Sequence, residues 1–411
     1  MNPITLLFPG QGVQHVGMIE EIKERFPLVP QFVMAASEII GENLEMLCIS
    51  DEQHLMNRTD IVQPLILSIS VGIYESMKRK TNLHVDYLAG HSLGEYSALV
   101  CAGAIAFDDA VTLVRMRGQF MHDVSEKNQG GMLAINGLSL NEVRKLLNEI
   151  EGVFIACDNS KHSCVASGAL SGLSTLQQKV VQKTGAKATR LYVEGAFHSA
   201  LMNEAAEKFA DSLSACNIQV PKCQVFSNFS SLPYKTVDEI KRNLVKQISN
   251  TVLWTDTIQA LHKHKSRFLD VGPKSILKNM MMVGENGIPC LSLIDDYEAV
   301  ISLFEDYEDY GKPRDFISFC LREAVCTRNK RNNKMRYSEI NAAYAELCML
   351  AGKEEESNYN NDDKVKAVNC MMSIYEAKGY LKEDIKERII QMAGLNQTVL
   401  ISAFFQGGDL A

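Results

Sequence analysis

The sequence predicts an α/β protein with a small inserted domain and a helical C-terminal region, and three observations support this. Strand patterns alternate with helical patterns over residues 1–128 and again over 196–300, as in proteins built on a parallel sheet. Residues 129–195 have the order β-α-β-β-α-β, which is the ferredoxin-like pattern. Residues 301–411 show helical spacing and no convincing strand.

In the first part, a buried strand ends in a glycine turn, and helices and a second strand follow. The predicted elements are a strand at Ile4–Phe8, helical patterns from about Ile19 to Ile49 and Val62 to Lys80, a strand at Val85–Ala89, and helices at Tyr96–Cys101 and Phe107–Asp123. After the inserted domain, strands are predicted at Gln224–Phe226, Arg267–Val271 and Pro289–Leu293.

The inserted domain and the C-terminal region have patterns of their own. The insert is predicted as strands at Gly131–Leu138, Val153–Cys157, Ser163–Ser167 and Thr189–Val193, with helices at Leu140–Ile150 and Ser171–Thr184. In the C-terminal region, apolar residues at helical spacing are Phe316, Phe319, Cys320 and Ala324, then Ile340, Ala343, Leu347 and Leu350. A polar loop is predicted over Gly352–Asp363, and helices near Lys364–Ala377 and Lys382–Ala393.

Composition narrows the class of protein. The chain has 411 residues, of which 46% are hydrophobic and 22% charged, as in ordinary globular proteins. A net charge of −8 argues against nucleic acid as a general partner. No apolar run is long enough for a membrane span, and the first residues lack the basic start of a secretory signal. The 11 cysteines show no metal-binding or disulfide spacing, so we expect reduced thiols, a cytoplasmic location, no metal and no cofactor.

The strongest chemical signal is the pentapeptide Gly90-His91-Ser92-Leu93-Gly94. It stands between a predicted strand and a predicted helix, the context in which G-x-S-x-G forms a nucleophile elbow. The glycines permit a sharp turn, and the serine lies near a helix N-terminus whose free amides stabilise negative charge. The pattern predicts acyl transfer or hydrolysis through Ser92, although five-residue patterns of this kind also arise by chance.

Four further features are candidate partners of Ser92. His198 lies where the chain leaves the inserted domain and is a candidate base, but it is also one of nine histidines and fits a surface position. His91 is a poorer candidate, since adjacent side chains point apart. The turn at Pro9-Gly10-Gln11-Gly12 could present an amide to an oxyanion, together with the Leu93 amide, or simply join a strand to a helix. Arg117 suits a planar carboxylate but also fits a solvated helix face.

Six motifs, in order along residues 1 to about 300, resemble the malonyl-CoA:acyl carrier protein transacylase family. They are Phe8-Pro9-Gly10-Gln11-Gly12, Gln63-Pro64, Gly90 to Tyr96, Arg117-Gly118, Ala196-Phe197-His198-Ser199 and Asp270-Val271-Gly272-Pro273. The resemblance implies an α/β-hydrolase-like large domain with a ferredoxin-like insert. It also implies a Ser92–His198 dyad and an oxyanion hole from the amides of Gln11 and Leu93.

The same resemblance implies the remaining site residues and the partners. Arg117 would pair with the malonyl carboxylate, the backbone carbonyl of Gln247 would orient His198, and Gln63, Met132 and Phe197 would line the substrate pocket. The bulk of Phe197 would favour malonyl over methylmalonyl groups, with some leakage. The expected partners are malonyl-CoA and a phosphopantetheinylated acyl carrier protein.

Three alternatives remain at this point. The hundred or so residues beyond about residue 305 resemble the extensions of stand-alone acyltransferases that serve polyketide synthase modules in trans. This resemblance favours polyketide biosynthesis over the alternative, a role in fatty-acid synthesis. A hydrolase that clears stalled acyl chains would share Ser92 and His198 but would not need Arg117. A non-catalytic scaffold whose helical tail binds synthase modules is the third possibility.

Overall fold

The computed structural model describes two units of the chain, Met1–Glu305 and Asp306–Ala411. In the first unit it describes residues 3–51, 55–81, 83–282 and 287–305. In the second it describes residues 317, 320–321, 323–324, 327, 337–351, 361–382, 384–385 and 388–389.

The first unit is built on a five-stranded parallel sheet. Its strands are β1 (Ile4–Phe8), β2 (Tyr87–Gly90), β7 (Gln224–Phe226), β8 (Arg267–Asp270) and β9 (Cys290–Ser292), in the spatial order β7-β2-β1-β8-β9. The sequence predicted all five strands, with shifts of one or two residues at some ends. Every residue of β1 is buried, as expected for a central strand covered on both faces. The parallel register places the ends of β1 and β2 side by side, since Phe8 pairs with Gly90.

Helices cover both faces of this sheet. They are α1 (Met18–Ile22), α2 (Val29–Ile40), α3 (Leu44–Ile49), α4 (Thr59–Lys80), α5 (Gly94–Cys101), α6 (Phe107–Lys127), α9 (Asn203–Ala215), α10 (Val237–Ser249), α11 (Trp254–His262), α12 (Ile276–Met282) and α13 (Tyr297–Glu305). The segment Ile19–Ile49, for which the sequence predicted helical structure, forms three separate helices. Gly41 ends α2 in the left-handed region, with φ of 73°, and the Asn43 side chain then caps α3 by accepting a bond from Met46 N.

Helix α4 is 22 residues long although it contains a proline, Pro64. Pro64 has no N–H, so the carbonyl of Asp60 loses its helical partner. Arg115 from α6 donates to that carbonyl at 3.1 Å and also forms an ion pair with the Asp60 carboxylate. The two helices are therefore joined next to the first turn of α4, where Thr59 and Gln63 lie.

The second sheet is antiparallel and lies within the segment predicted as an insert. It contains β3 (Gly130–Asn136), β4 (Val153–Ser160), β5 (Ser163–Ala169) and β6 (Lys187–Arg190), ordered β4-β5-β3-β6, with helices α7 (Leu140–Leu147) and α8 (Leu170–Val181). The element order is the predicted one. The last strand ends earlier than predicted, at Arg190, and Tyr192 beyond it is 97% exposed. Helix α7 begins at a capping box made by Ser139 and Glu142.

The described part of the second unit is helical, as predicted. It contains α14 (Tyr337–Ala351) and α15 (Asn361–Lys378) and has its own apolar cluster, which includes Cys320, Leu347 and Met371. The predicted loop over Gly352–Asp363 extends too far, because Asp362 and Asp363 form the acidic first turn of α15. Residues 352–360, Phe316, Phe319 and most of the predicted helix at Lys382–Ala393 lie outside the described residues.

Candidate active site

The pentapeptide around Ser92 forms a sharp turn between β2 and α5. Ser92 has φ of 51°, a left-handed conformation that is uncommon for a non-glycine residue. A Cβ atom on Gly94 would lie 2.0 Å from the Phe8 carbonyl oxygen, and one on Gly90 would lie 1.8 Å from the Gly94 carbonyl carbon. Both glycines are therefore required by close backbone contacts, which bring the start of α5 against the ends of β1 and β2.

The Ser92 hydroxyl and the His198 imidazole form a hydrogen-bonded pair. Ser92 Oγ lies 2.8 Å from His198 Nε2, and His198 Nδ1 lies 2.7 Å from the carbonyl oxygen of Gln247. Because a carbonyl only accepts, Nδ1 carries the proton, and Nε2 accepts from the serine hydroxyl. Burial, with a contribution from the nearby Arg117 cation, lowers the pKa of His198 to about 3. The imidazole is therefore neutral at pH 7 and can accept the Ser92 proton.

Arg117 on α6 is completely buried beside Ser92. Its Nη2 donates to Ser92 Oγ at 3.3 Å and to Gln247 Oε1 at 2.8 Å, and its Nη1 donates to Gln63 Oε1 at 2.8 Å. Its Nε has no hydrogen-bond partner among the residues that the structure describes. No carboxylate among the described residues forms an ion pair with Arg117, although Glu95 is near enough to act on its charge. A buried cation with neutral partners is prepared to bind an anion.

The turn after β1 lies directly against the elbow. A Cβ atom on Gly10 would be 2.7 Å from the His91 carbonyl oxygen and 3.7 Å from Leu93 N, so the Gln11 segment faces the amide that follows the nucleophile. Neither the Gln11 N–H nor the Leu93 N–H has an acceptor within the described part of the chain. The Gln11 side chain is held by Thr59, whose hydroxyl donates to Oε1 at 2.7 Å. The turn that carries Gln11 therefore packs against the elbow, and both amides are without an acceptor among the described residues.

A buried polar network behind the nucleophile was missed at the sequence level. The Glu95 carboxyl accepts from Tyr234 Oη at 2.5 Å and from Gln247 Nε2 at 2.6 Å. Gln247 Nε2 also donates to the Ser92 carbonyl at 2.9 Å. Burial raises the pKa of Glu95 to about 7, although the surrounding donors favour the charged form. Glu95 stands inside the quoted Gly90–Tyr96 motif, which was the only sequence signal for it.

The remaining residues considered from the sequence are Gln63, Met132, Phe197 and His91. Gln63 is buried on α4 and bonds Arg117 and Thr59. Met132 on β3 and Phe197, which precedes His198, are buried in the same apolar cluster as Leu93. His91 turns away from the dyad: its Nε2 lies 2.8 Å from Asn159 Oδ1, and its ring packs edge-on against Trp254.

Two kinds of structure are absent from the described residues. No group of three or more His, Cys, Asp or Glu side chains there is arranged to hold a metal ion. Within the same described ranges, no helix is both long enough and apolar enough to cross a membrane.

A family model described as acyl transferase domain matches residues 5–297 of this chain. A malonyl CoA-acyl carrier protein transacylase of Bacillus subtilis is 29% identical over 398 residues, which cover 96% of this chain and 92% of that protein. The polyketide biosynthesis malonyl CoA-acyl carrier protein transacylase PksC of Bacillus subtilis is 35% identical and covers 68% and 96%, respectively.

Among solved structures, the chain resembles a malonyl-transacylase in complex with its type II PKS acyl-carrier protein. The TM-score is 0.70 and the identity 30%, over 74% of this chain and 99% of the other. The mixed α/β fold of the first unit is therefore shared with proteins of similar sequence.

Proposed function

This chain belongs to the acyl transferase domain family, and on that premise we propose that it transfers the malonyl group of malonyl-CoA to the phosphopantetheine thiol of an acyl carrier protein. The observation that carries the choice of acyl group is Arg117. Its guanidinium is buried, donates to Ser92 Oγ at 3.3 Å and has no ion pair with a described carboxylate. A bound malonyl group would supply that carboxylate next to the thioester that Ser92 attacks.

The chemistry follows from the hydrogen bonds of the dyad. His198 Nε2 takes the Ser92 proton while Oγ attacks the malonyl thioester carbonyl, and the carbonyl oxygen becomes an oxyanion near the amides of Gln11 and Leu93. When the C–S bond breaks, the imidazolium returns its proton to the leaving thiolate of coenzyme A. The carrier-protein thiol then gives its proton to His198 and attacks the malonyl ester, and Ser92 regains its proton as it leaves. The Gln247 carbonyl keeps the Nδ1–H tautomer in both halves.

Gln63, Met132 and Phe197 are proposed to shape the substrate pocket. Gln63 supports this through its bond to Arg117 Nη1 at 2.8 Å, since it fixes one arm of the guanidinium. Phe197 is buried and precedes His198 in sequence, and we infer that its bulk would limit the space for an α-methyl group. One methyl group changes binding by about 1–3 kcal/mol, so methylmalonyl transfer should be slower but measurable.

A competition between acyl donors and acceptors tests the function. The protein is incubated with equal amounts of malonyl-CoA and acetyl-CoA and with a phosphopantetheinylated carrier protein, and the products are separated by mass spectrometry. We expect malonyl-carrier protein as the main product. Free acid released faster than carrier protein is loaded would contradict the proposal and favour a hydrolase.

The domain organisation and the pathway are also proposals. We propose an α/β-hydrolase-like domain over 1–128 and 196–300, a ferredoxin-like insert over 129–195 and a helical extension over 301–411. The parallel order β7-β2-β1-β8-β9 and the antiparallel order β4-β5-β3-β6 support the first two.

A role in trans with polyketide synthase modules is proposed because PksC, a similar protein, is named for polyketide biosynthesis. Comparing transfer to a fatty-acid carrier protein and to a polyketide carrier domain tests it.

A cytoplasmic location is supported by the free thiols of all described cysteines.

A further inference from the structure

One amide side chain outside the predicted site contacts the elbow on both sides of His91, the residue that precedes Ser92. Asn228 follows β7, which is hydrogen-bonded to β2, so it lies beside the end of β2 where the elbow begins. It is completely buried. Its own backbone is fixed, because its N–H points at both Glu95 carboxyl oxygens at 3.3 Å and its carbonyl accepts from Leu253 N at 2.9 Å.

The two ends of this amide have complementary bonds to the elbow. Asn228 Oδ1 accepts from Ser92 N at 2.6 Å, and Nδ2 donates to the Gly90 carbonyl oxygen at 2.6 Å. The partners determine the orientation of the amide, since an N–H can only donate and a carbonyl can only accept. The side chain therefore closes a ring around the His91 residue and its two peptide groups.

Those bonds act on a strained segment. Ser92 has φ of 51°, and a non-glycine residue in this region costs about 1–3 kcal/mol that its surroundings must offset. The bonds also decide which amides face the substrate. The Ser92 N–H is occupied by Asn228, whereas the Leu93 N–H has no acceptor within the described residues and is left for the oxyanion.

We propose that Asn228 is the positioning residue of the nucleophile elbow: its side chain holds Ser92 Oγ in line with His198 and directs the Leu93 amide, not the Ser92 amide, towards the oxyanion. The proposal rests on Ser92 being the nucleophile of the proposed function. It predicts that loss of Asn228 slows acylation of Ser92 much more than it weakens binding of the acyl donor.

The first test compares Asn228→Ala with a matched control, Asn243→Ala. Asn243 on α10 is also a buried asparagine. Its amide contacts Ser227 and Ser230, in the loop that contains Asn228, and forms no hydrogen bond with the described residues of the elbow. Single-turnover formation of the malonyl-enzyme is measured by rapid quench. We expect the acylation rate of Asn228→Ala to fall about a hundredfold with KM within about threefold, as for a nucleophile displaced by about 1 Å. Acylation within about threefold of wild type, or an equal loss in Asn243→Ala, overturns the proposal.

The second test is a pH series on Asn228→Asp, which separates positioning from general stability. A protonated carboxyl can accept from Ser92 N and donate to Gly90 O, as the amide does, whereas a carboxylate can only accept. The titratable groups around this position are Glu95 from α5 and, through Glu95 and Gln247, Tyr234, Arg117 and His198. The acylation rate of Asn228→Asp relative to wild type should rise at least about tenfold as the pH falls from about 8 to about 6. A ratio that stays constant or falls contradicts the proposal, and this series decides the matter if Asn228→Ala does not fold.

A probe that carries no malonyl group keeps this inference separate from the proposed function. A fluorophosphonate phosphonylates an activated serine: Oγ attacks phosphorus and fluoride leaves, a step that also needs an aligned Oγ and an oxyanion hole. If wild type is labelled at Ser92 but does not accept malonyl-CoA, the proposed function fails and the labelling rates still test Asn228. Slow labelling of Asn228→Ala beside normal labelling of Asn243→Ala supports the inference, and equal labelling of the two refutes it.

Discussion

Arg117 gives the prediction whose magnitude follows most directly from the structure. Two unit charges about 4 Å apart attract each other by about 4 kcal/mol at an effective dielectric constant near 20. Removing one member of a buried, hydrogen-bonded charge pair costs about 2–5 kcal/mol. We therefore expect Arg117→Ala to lose about 3 kcal/mol of transition-state stabilisation for malonyl-CoA, or about a hundredfold in kcat/KM.

The ratio between two acyl donors isolates this effect. Arg117 Nη2 also donates to Ser92 Oγ at 3.3 Å, so the substitution changes the nucleophile for every donor. The acetyl group of acetyl-CoA has no free carboxylate, so this donor reports only the change at Ser92. The assay measures kcat/KM for both donors with one carrier protein, and the malonyl-to-acetyl ratio should fall about a hundredfold.

Two further variants sharpen the interpretation. Arg115→Ala removes another arginine of α6, one that pairs with Asp60 and does not contact Ser92, and its ratio should equal that of wild type. Arg117→Lys keeps the charge but loses the planar fork, so it should have an intermediate ratio. A malonyl-to-acetyl ratio in Arg117→Ala that stays within about threefold of wild type would refute the reasoning.

Three other predictions concern the base, the buried carboxyl and the elbow. His198→Ala should lower the acylation rate by about three orders of magnitude, because His198 is the one described residue placed to accept the Ser92 Oγ proton. Rapid-quench acylation measures this, and a loss below about tenfold would exclude His198 as the base. The pKa of Glu95 is raised from 4.5 to about 7 in the folded protein, so the unfolded chain releases this proton first and the free energy of unfolding falls as the pH rises between these values. Glu95→Gln removes that dependence, so its free energy of unfolding relative to wild type should rise by about 3 kcal/mol from pH 4.5 to 7. Chemical denaturation at each pH measures this, and a free-energy difference that does not change with pH would contradict the raised pKa of the buried carboxyl. Gly94→Ala places a Cβ 2.0 Å from the Phe8 carbonyl oxygen and should cost about 3 kcal/mol of stability, whereas an unchanged Tm would mean that α5 does not pack there.

The sequence predicted those features that depend on short segments. Strand β1 is a continuous apolar run, and the elbow stands between a strand and a helix, so both were visible without tertiary information. His198, Arg117 and Gln11 became specific only when their motifs were compared with a family, because a histidine, an arginine or a glycine turn has many uses. The structure brings these distant residues together around Ser92.

The polar network behind the elbow could not be predicted from spacing. Asn228, Tyr234 and Gln247 lie 136–155 residues from Ser92 or Glu95 in sequence, and only the pairing of β7 with β2 and the packing of α10 bring them to the site. Element ends were missed for a similar reason. Helix α4 begins at Thr59, three residues before the predicted start, and in its first turn Arg115 from another helix donates to the carbonyl of Asp60.

The central claim is that Ser92 carries malonyl between two thioesters. The most direct test treats the protein with malonyl-CoA alone, quenches in acid, maps the modified peptide by mass spectrometry and then adds phosphopantetheinylated carrier protein to an unquenched sample. We predict a single malonyl group on Ser92 that passes to the carrier thiol faster than it is hydrolysed and that is absent from Ser92→Ala. A malonyl group at another residue, or one released mainly as free malonate in the presence of carrier protein, would contradict the claim.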